Sequence, residues 1–317
     1  MTMVFPTLAD LQAARERIAG RAHETPVFTS RSLDAACDAS LFIKCENFQK
    51  VGAFKFRGAC NAIFALTEEE AANGVATHSS GNHAQAVALA ASLRGVPAHV
   101  VMPTNAPAAK RAAVLGYGAR VIDCAPTLEA RETTLAKVVA ETHAHEVHPY
   151  NDPFVVAGQG TAALELFEEV GPLDTFLVPV GGGGLMSGSA LAAAAVSPGT
   201  SVEGCEPTLA NDAAEGLRIG ERQPPNPPTT IADGLRTALG PLSFAIMKTH
   251  VHTIHTVSEA EIVAAMRFVW ERLKIVIEAS SAVPFAVALR GDVAKRRVGI
   301  VVSGGNLDLD RLPWQEV

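Results

Sequence analysis

The sequence predicts an α/β protein built as two open parallel-sheet lobes, and three observations carry that expectation. Short runs rich in valine and isoleucine alternate with stretches of helical spacing along the 317 residues, the pattern of parallel strands covered on their faces by helices. The rhythm runs once through the first half and resumes with Thr175. Glycine- and serine-rich segments stand where strands end and helices begin, which is where open α/β sheets bind ligands, because helix N-termini point into the crevice there.

In order, Val96-Pro97-Ala98-His99-Val100-Val101-Met102 reads as a strand, followed by a helix from about Ala106. Ala119 to Cys124 is the next strand, and the stretch from about Thr127 to Thr142 the next helix. Thr175 to Val180 restarts the rhythm and runs into four glycines and an alanine-rich helix; Ser201 to Cys205 and Arg297 to Val302 are further buried strands. Gln223 to Pro228, with four prolines, reads as an extended surface connection and not a domain boundary, since the rhythm continues beyond it.

Composition narrows the function classes. Hydrophobic residues make up 48% and charged residues 19%, with 26 basic against 33 acidic side chains and a net charge of −7, so nucleic acid is not an expected partner. No segment approaches ~18 uninterrupted apolar residues, and Met1 to Asp10 lacks a basic region followed by an apolar block, so no membrane is expected and the reading is cytoplasmic. Five scattered cysteines, none in a C-x-x-C pair, argue against a disulfide framework or a zinc site. Two H-x-H-x-x-H strings, His143/His145/His148 and His250/His252/His255, are read as solvated strand ends, because in an extended segment the third ring points away from the first two.

Four segments carry chemistry. Lys55 stands between Phe54 and Phe56 in Ala53-Phe54-Lys55-Phe56-Arg57-Gly58; flanking rings would desolvate its ammonium and favour the neutral, nucleophilic amine. Gly181-Gly182-Gly183-Gly184-Leu185 follows an apolar strand and opens a helix, a backbone able to wrap a phosphate. A dinucleotide fingerprint is the rival reading, but no acidic residue follows it convincingly beside a second strand. His78-Ser79-Ser80-Gly81-Asn82-His83 joins a strand end to a helix start rich in capping residues, and Ser303-Gly304-Gly305-Asn306 closes a buried strand.

Together these segments resemble the fold type II pyridoxal-phosphate family of serine and threonine dehydratases and serine racemases, from Thr25-Pro26-Val27 to Asn306-Leu307-Asp308 and in the family's order. The resemblance implies a tryptophan synthase β-like fold with the cofactor in the cleft between lobes: residues 1–72 and 149–317 as the larger, cofactor-binding domain and 73–148 as the smaller, carrying the substrate loop. It makes Lys55 the cofactor's covalent partner and general base, beside Phe54. Gly181 to Gly184 and Leu185 become the phosphate cradle, Asn82 the partner of the ring hydroxyl, Gly234 a backbone contact, Glu278 a buried acid near the site, and Ser303 the group facing the pyridine nitrogen. A hydroxyl there leaves the ring a weaker electron sink than a carboxylate would, which suits elimination.

The resemblance also gives the backbone N–H groups of Ser79, Asn82 and His83 to the substrate carboxylate. Ser80 becomes the second proton-transfer group that a racemase requires, and Arg131 a partner for a second substrate carboxylate. Glu206, the Ala210 carbonyl and Asp212 become a Mg²⁺ or Ca²⁺ site. Ala53 replaces a serine that family members often carry. Lys50 and Tyr117 match positions that touch nucleotide in ATP-responsive racemases, and a homodimer is implied. No regulatory segment follows the last motif, so feedback control is not expected. The closest likeness is to serine racemases and threo-3-hydroxyaspartate dehydratases, so the expected reaction is loss of ammonia from threo-3-hydroxyaspartate, L-serine or L-threonine. The alternative is racemisation of serine or aspartate, and the remote alternatives are a nicotinamide-dependent dehydrogenase and a non-catalytic cofactor-binding protein.

Overall fold

A computed structural model of the chain describes residues 4–225 and 229–315. Among the described residues, ten strands form two sheets. The strands are β1 (Val27–Phe28), β2 (Ser40–Cys45), β3 (Val75–His78), β4 (Ala98–Pro103), β5 (Arg120–Cys124), β6 (His145–Glu146), β7 (Thr175–Pro179), β8 (Ser201–Pro207), β9 (Thr253–Val257) and β10 (Arg297–Val302). The larger sheet runs β1-β2-β10-β7-β8-β9 and the smaller β5-β4-β3-β6. Every pairing is parallel except β1 with β2.

Side-chain alternation along the strands assigns the helices to faces. In β10, Ile300 and Val302 turn into one core with Val283, Phe285 and Val287 of the helix Ala279–Leu289. The intervening Val301 turns to the other face, where Phe176 and Val178 of β7 meet the helices Pro153–Val170 and Gly184–Val196. Burying each such side chain contributes roughly 1.5–3 kcal/mol, which is why these strands are apolar throughout. The smaller sheet repeats the plan. Val75, Val100 and Met102 pack on the alanine-rich helix Asn82–Arg94, while Ala76 and Val101 meet Leu135 and Val138 of the helix Leu128–Thr142.

The helix Lys55–Ala65 lies between the two sheets' cores. Its Phe56, Ala59, Cys60 and Ile63 join the core of the smaller sheet, and its Gly58 faces the helix Pro153–Val170 so closely that a Cβ on Gly158 would sit 2.7 Å from Gly58 Cα. The N-terminus of this helix, and with it Lys55, is thereby fixed against both halves of the molecule.

The expected elements lie within a few residues of those observed. The helix expected from Ala106 begins at Ala108, because Pro107 supplies its N-cap. Of the proline-rich connection, residues 223–225 are irregular, while residues 226–228 lie outside the described residues. All five cysteines are free and buried. Among the described residues, no helix is long and apolar enough to cross a membrane.

Candidate active site

A cavity of about 640 Å³ opens between the two sheets, and the four segments singled out above all line it. Lys55 is the first residue of its helix. Its Nζ donates to the Pro149 carbonyl at 2.9 Å and lies 5.2 Å from the Phe54 ring centroid. Burial lowers the ammonium from 10.5 to about 8, and Glu278 pulls weakly the other way. No carboxylate bonds to it among the described residues. The second expected ring is not at the amine. Phe56 is fully buried in the core and takes Lys50 Nζ at 5.7 Å over its ring. Residues 54–56 begin a helix, in which neighbours point some 100° apart, so only Phe54 flanks Lys55.

Opposite stands the glycine run. Gly183 has φ +88°, open to glycine without strain, and a Cβ on Gly182 would lie 2.2 Å from the Tyr150 ring. Tyr150 and Ser243 occupy the space that side chains here would need. The helix begins at Gly184 and its first backbone bond of the turn runs from Ser187 N to Gly183 O, so the N–H groups of Gly184, Leu185 and Met186 point outward at its positive end. This is an anion cradle. With a desolvated amine, the phosphate cradle and a hydroxyl at Ser303 around one cavity, the residues fit pyridoxal phosphate.

Ser303 is buried, and its Oγ lies 3.0 Å from that of Ser281, which also accepts from Gly304 N at 2.8 Å. Asn82 Nδ2 donates to Glu278 at 3.0 Å while its Oδ1 accepts from Asn306 Nδ2 at 3.0 Å. Asn306 N donates to Glu278 as well, at 3.2 Å. Burial first, then Asp233, raises the Glu278 carboxyl to about 7. Gly234 N donates to Ser280 Oγ at 3.0 Å, turning the Asp233–Leu235 segment toward the cavity.

Ser79, Ser80, Asn82 and His83 line the same cavity. The N–H groups of Asn82, His83 and Ala84 are the orphan donors of a helix start, since Gln85 N is the first to bond back, to Gly81 O. The Ser79 N–H does not belong with them: it donates to the Val101 carbonyl at 3.1 Å, extending the β3–β4 ladder, and its Oγ accepts from Gly81 N. His83 is buried, with Nε2 3.1 Å from the Val147 carbonyl, and burial keeps its ring neutral. Arg131 also lines the cavity, with one 3.4 Å bond to the Thr127 carbonyl of its own helix and no ion pair among the described residues.

Glu206 and Asp212 are buried away from the cavity lining, with Ala210 between them in sequence. Glu206 accepts from Ala213 N (3.3 Å) and Ala214 N (2.8 Å), and Asp212 from Leu239 N at 3.1 Å. Burial raises the Glu206 carboxyl, and Asp212 adds to it. Two buried carboxylates that form no ion pair among the described residues, with Arg222 acting on Asp212 only at longer range, suit a hard cation. No group of three or more His, Cys, Asp or Glu able to hold a metal occurs among the described residues, so carbonyls or water would complete the shell.

The histidine strings are not simply solvated strand ends. His148 is half-buried, its Nδ1 accepting from Asn151 N at 2.9 Å and its ring 6.4 Å from that of His78. His255 lies between Glu203 (2.7 Å) and Asp292 (3.5 Å). Lys50 and Tyr117 stay outside the cavity lining, near the core around Phe56. Residues the sequence did not single out for the site are Tyr150, Ser281, Lys110 and Asp233. The Ser280-Ser281 pair two residues after Glu278 was the one available signal.

Comparison with known proteins agrees with this geometry. Residues 18–304 match the family described as pyridoxal-phosphate dependent enzyme. A β-hydroxyaspartate dehydratase of Paracoccus denitrificans is 50% identical over 98% of this chain and 100% of its own. The L-threo-3-hydroxyaspartate ammonia-lyase of Saccharomyces cerevisiae is 48% identical over 98% and 96%. The solved structure of maize serine racemase superposes with a TM-score of 0.94 at 45% identity, covering 97% of this chain and 95% of that one. A lysine made nucleophilic by burial, set against a glycine cradle within this likeness, leads to one conclusion: the chain belongs to the pyridoxal-phosphate dependent enzymes.

Proposed function

We propose that the protein removes water and then ammonia from 3-hydroxy amino acids, with threo-3-hydroxyaspartate the preferred substrate and L-serine and L-threonine lesser ones, releasing a 2-oxo acid. The observation that carries this reading is the shared cavity, in which Lys55, the glycine cradle, the Ser80 loop and Arg131 meet. When bound, the cofactor supplies the electron sink that lets a Cα proton leave. Lys55, with its amine already near neutrality, accepts that proton as general base. Phe54 keeps water off the amine, and the N–H groups of Asn82 and His83 hold the substrate's α-carboxylate. Asn82, Gly234 and Glu278 orient the ring, and Gly181, Gly182, Gly183, Gly184 and Leu185 hold its phosphate.

Ser303 would offer the ring nitrogen a hydroxyl and not a carboxylate, which would leave the bound cofactor a weaker electron sink and suits loss of the 3-hydroxyl. Arg131, a cation without an ion pair in the cavity wall, favours a substrate with a second carboxylate. The relatives named as hydroxyaspartate dehydratase and ammonia-lyase support the same choice. Measuring 2-oxo acid release from threo-3-hydroxyaspartate, L-serine, D-serine and L-threonine side by side tests it. Faster release from serine by a wide margin removes the Arg131 argument, and no release from any of them overturns the proposal.

Racemisation is the second reading, favoured by the Ser80 hydroxyl at the cavity and by the likeness to serine racemases. Ser80→Ala should then abolish racemisation and spare elimination from the L-substrate; equal loss of both counts against the role. Further parts of the proposal are Mg²⁺ or Ca²⁺ at Glu206, Ala210 and Asp212, activation by ATP through Lys50 and Tyr117, and a homodimer. The two-domain division at residues 72 and 148 belongs to it too. A reducing, cytoplasmic setting suits five unpaired cysteines. Added ATP with Mg²⁺ and sedimentation velocity test the nucleotide and the dimer.

A further inference from the structure

Lys110 projects from the helix Ala108–Gly116, which belongs to the smaller sheet's half. Its Nζ lies 2.5 Å from Asp233 Oδ2, and its side chain is only 11% exposed. Asp233 opens a turn anchored to the other half: Gly234 N is held by Ser280 Oγ at 3.0 Å and Leu235 is buried in the larger sheet's core. Both partners line the cavity. A Cβ on Gly81, the residue after Ser80, would lie 3.8 Å from the same Nζ. The ammonium is thus in contact range of the loop expected to hold the substrate's α-carboxylate. Among the described residues, the one other ion pair between residues 73–148 and the rest of the chain is Arg94–Glu68 at 3.2 Å, away from the cavity and with Glu68 fully exposed. Burial alone would drive the ammonium down, but Asp233 and Glu278 outweigh it, so Lys110 stays a cation.

We propose that the Lys110–Asp233 pair is a latch that fastens the Ser79–Asn82 loop across the cleft, making Lys110 a positioning residue for substrate binding. This inference rests on the proposed reaction for its kinetic arm but not for its structural one. An ion pair across a mouth between two packed halves fixes their separation, and the loop resting on Lys110 inherits that position. Losing either charge lets the smaller half move away from the cofactor, while the glycine cradle and Lys55, which make no contact with the pair, stay in place.

The test uses the holoenzyme with Lys110→Met, Asp233→Asn, the double variant and the charge exchange Lys110→Asp/Asp233→Lys. Each single variant should raise KM for threo-3-hydroxyaspartate about fivefold or more with little change in kcat, and the double variant should be no worse than the worse single, as coupled residues behave. The charge exchange should recover part of the loss. Hydrogen exchange by mass spectrometry should quicken over residues 79–82 and 104–116 and stay unchanged in the larger sheet. Additive kinetic effects, wild-type exchange in both segments, or loss of pyridoxal phosphate from the single variants would each overturn the latch. If the protein turns over no hydroxy amino acid, the exchange arm still decides, so failure of the proposed reaction and failure of the latch are separable.

Discussion

Uptake of pyridoxal phosphate by the cofactor-free protein should rise with pH and flatten near pH 8, because only the neutral Lys55 amine attacks the aldehyde. Buried beside Phe54 and facing the Pro149 carbonyl, the amine has a pKa of about 8 in place of 10.5. At pH 7 about one molecule in ten then carries a neutral Lys55, against about one in three thousand for an ordinary lysine. The sign follows from the direction of the shift: burial penalises the charged form, so the neutral form is reached at lower pH. Below pH 8 the initial rate should climb about tenfold per unit, and above it hardly at all. Glu278 holds the ammonium up, so Glu278→Gln should move the plateau to lower pH. The assay is stopped-flow growth of visible absorbance on mixing with the cofactor, with an amine of ordinary pKa, Nα-acetyl-lysine, as reference. A rate that keeps climbing through pH 10 would refute the argument, since it would give Lys55 the properties of a solvated side chain.

Other outcomes follow from the same geometry. Gly182→Ala should weaken the cofactor by about fivefold or more, because its Cβ would meet the Tyr150 ring at 2.2 Å and overpacking costs about 1–3 kcal/mol; equilibrium dialysis reads the change, and unchanged affinity would count against the cradle. Lys55→Ala should abolish both the visible absorbance and turnover, and retention of both would end the assignment. Chelation should lower the melting temperature by about 2 °C or more, with Mg²⁺ or Ca²⁺ restoring it and Glu206→Gln removing the response. A melting curve indifferent to chelator argues against the cation.

The parts of the site legible in the sequence are those whose meaning is local. Four glycines after an apolar strand announce a backbone cradle because no side chain is needed to build it, and the order of the motifs restricts the fold to sheets with converging loops. What escaped depends on register, helical phase or distant partners. The Ser79 N–H is taken by the Val101 carbonyl because the β3–β4 ladder runs on one residue beyond His78. Phe56 turns away because the segment is helical and not extended. Asp233 lies 123 residues from Lys110, and Asn306 224 from Asn82; no local pattern marks such pairs. His255 likewise meets Glu203 through the β8–β9 pairing, which periodicity does not specify.

The motif Lys55-Phe56-Arg57 places two cations in the same buried helical turn, and their environments send them to opposite states. Arg57 is fully buried, yet its Nε donates to Glu46 at 2.7 Å and its two Nη atoms to Glu165 at 2.5 and 2.7 Å, with Lys44 2.7 Å from the same Glu165. Desolvation works against the guanidinium, but Glu46 and Glu165 outweigh it, and Arg57 is held charged. Lys55 meets desolvation with no bonded carboxylate and is pushed toward neutrality. Arg57 therefore anchors the helix whose first residue carries the reactive amine. Arg57→Met leaves Glu46 buried without its partner and should destabilise the protein by about 3–5 kcal/mol, whereas Arg57→Met/Glu46→Gln removes both charges and should recover part of that loss. Urea denaturation followed by circular dichroism gives both numbers. If the double variant is less stable than Arg57→Met alone by the full cost of Glu46→Gln, the charges are independent, and the contrast between the two cations has some other origin than pairing.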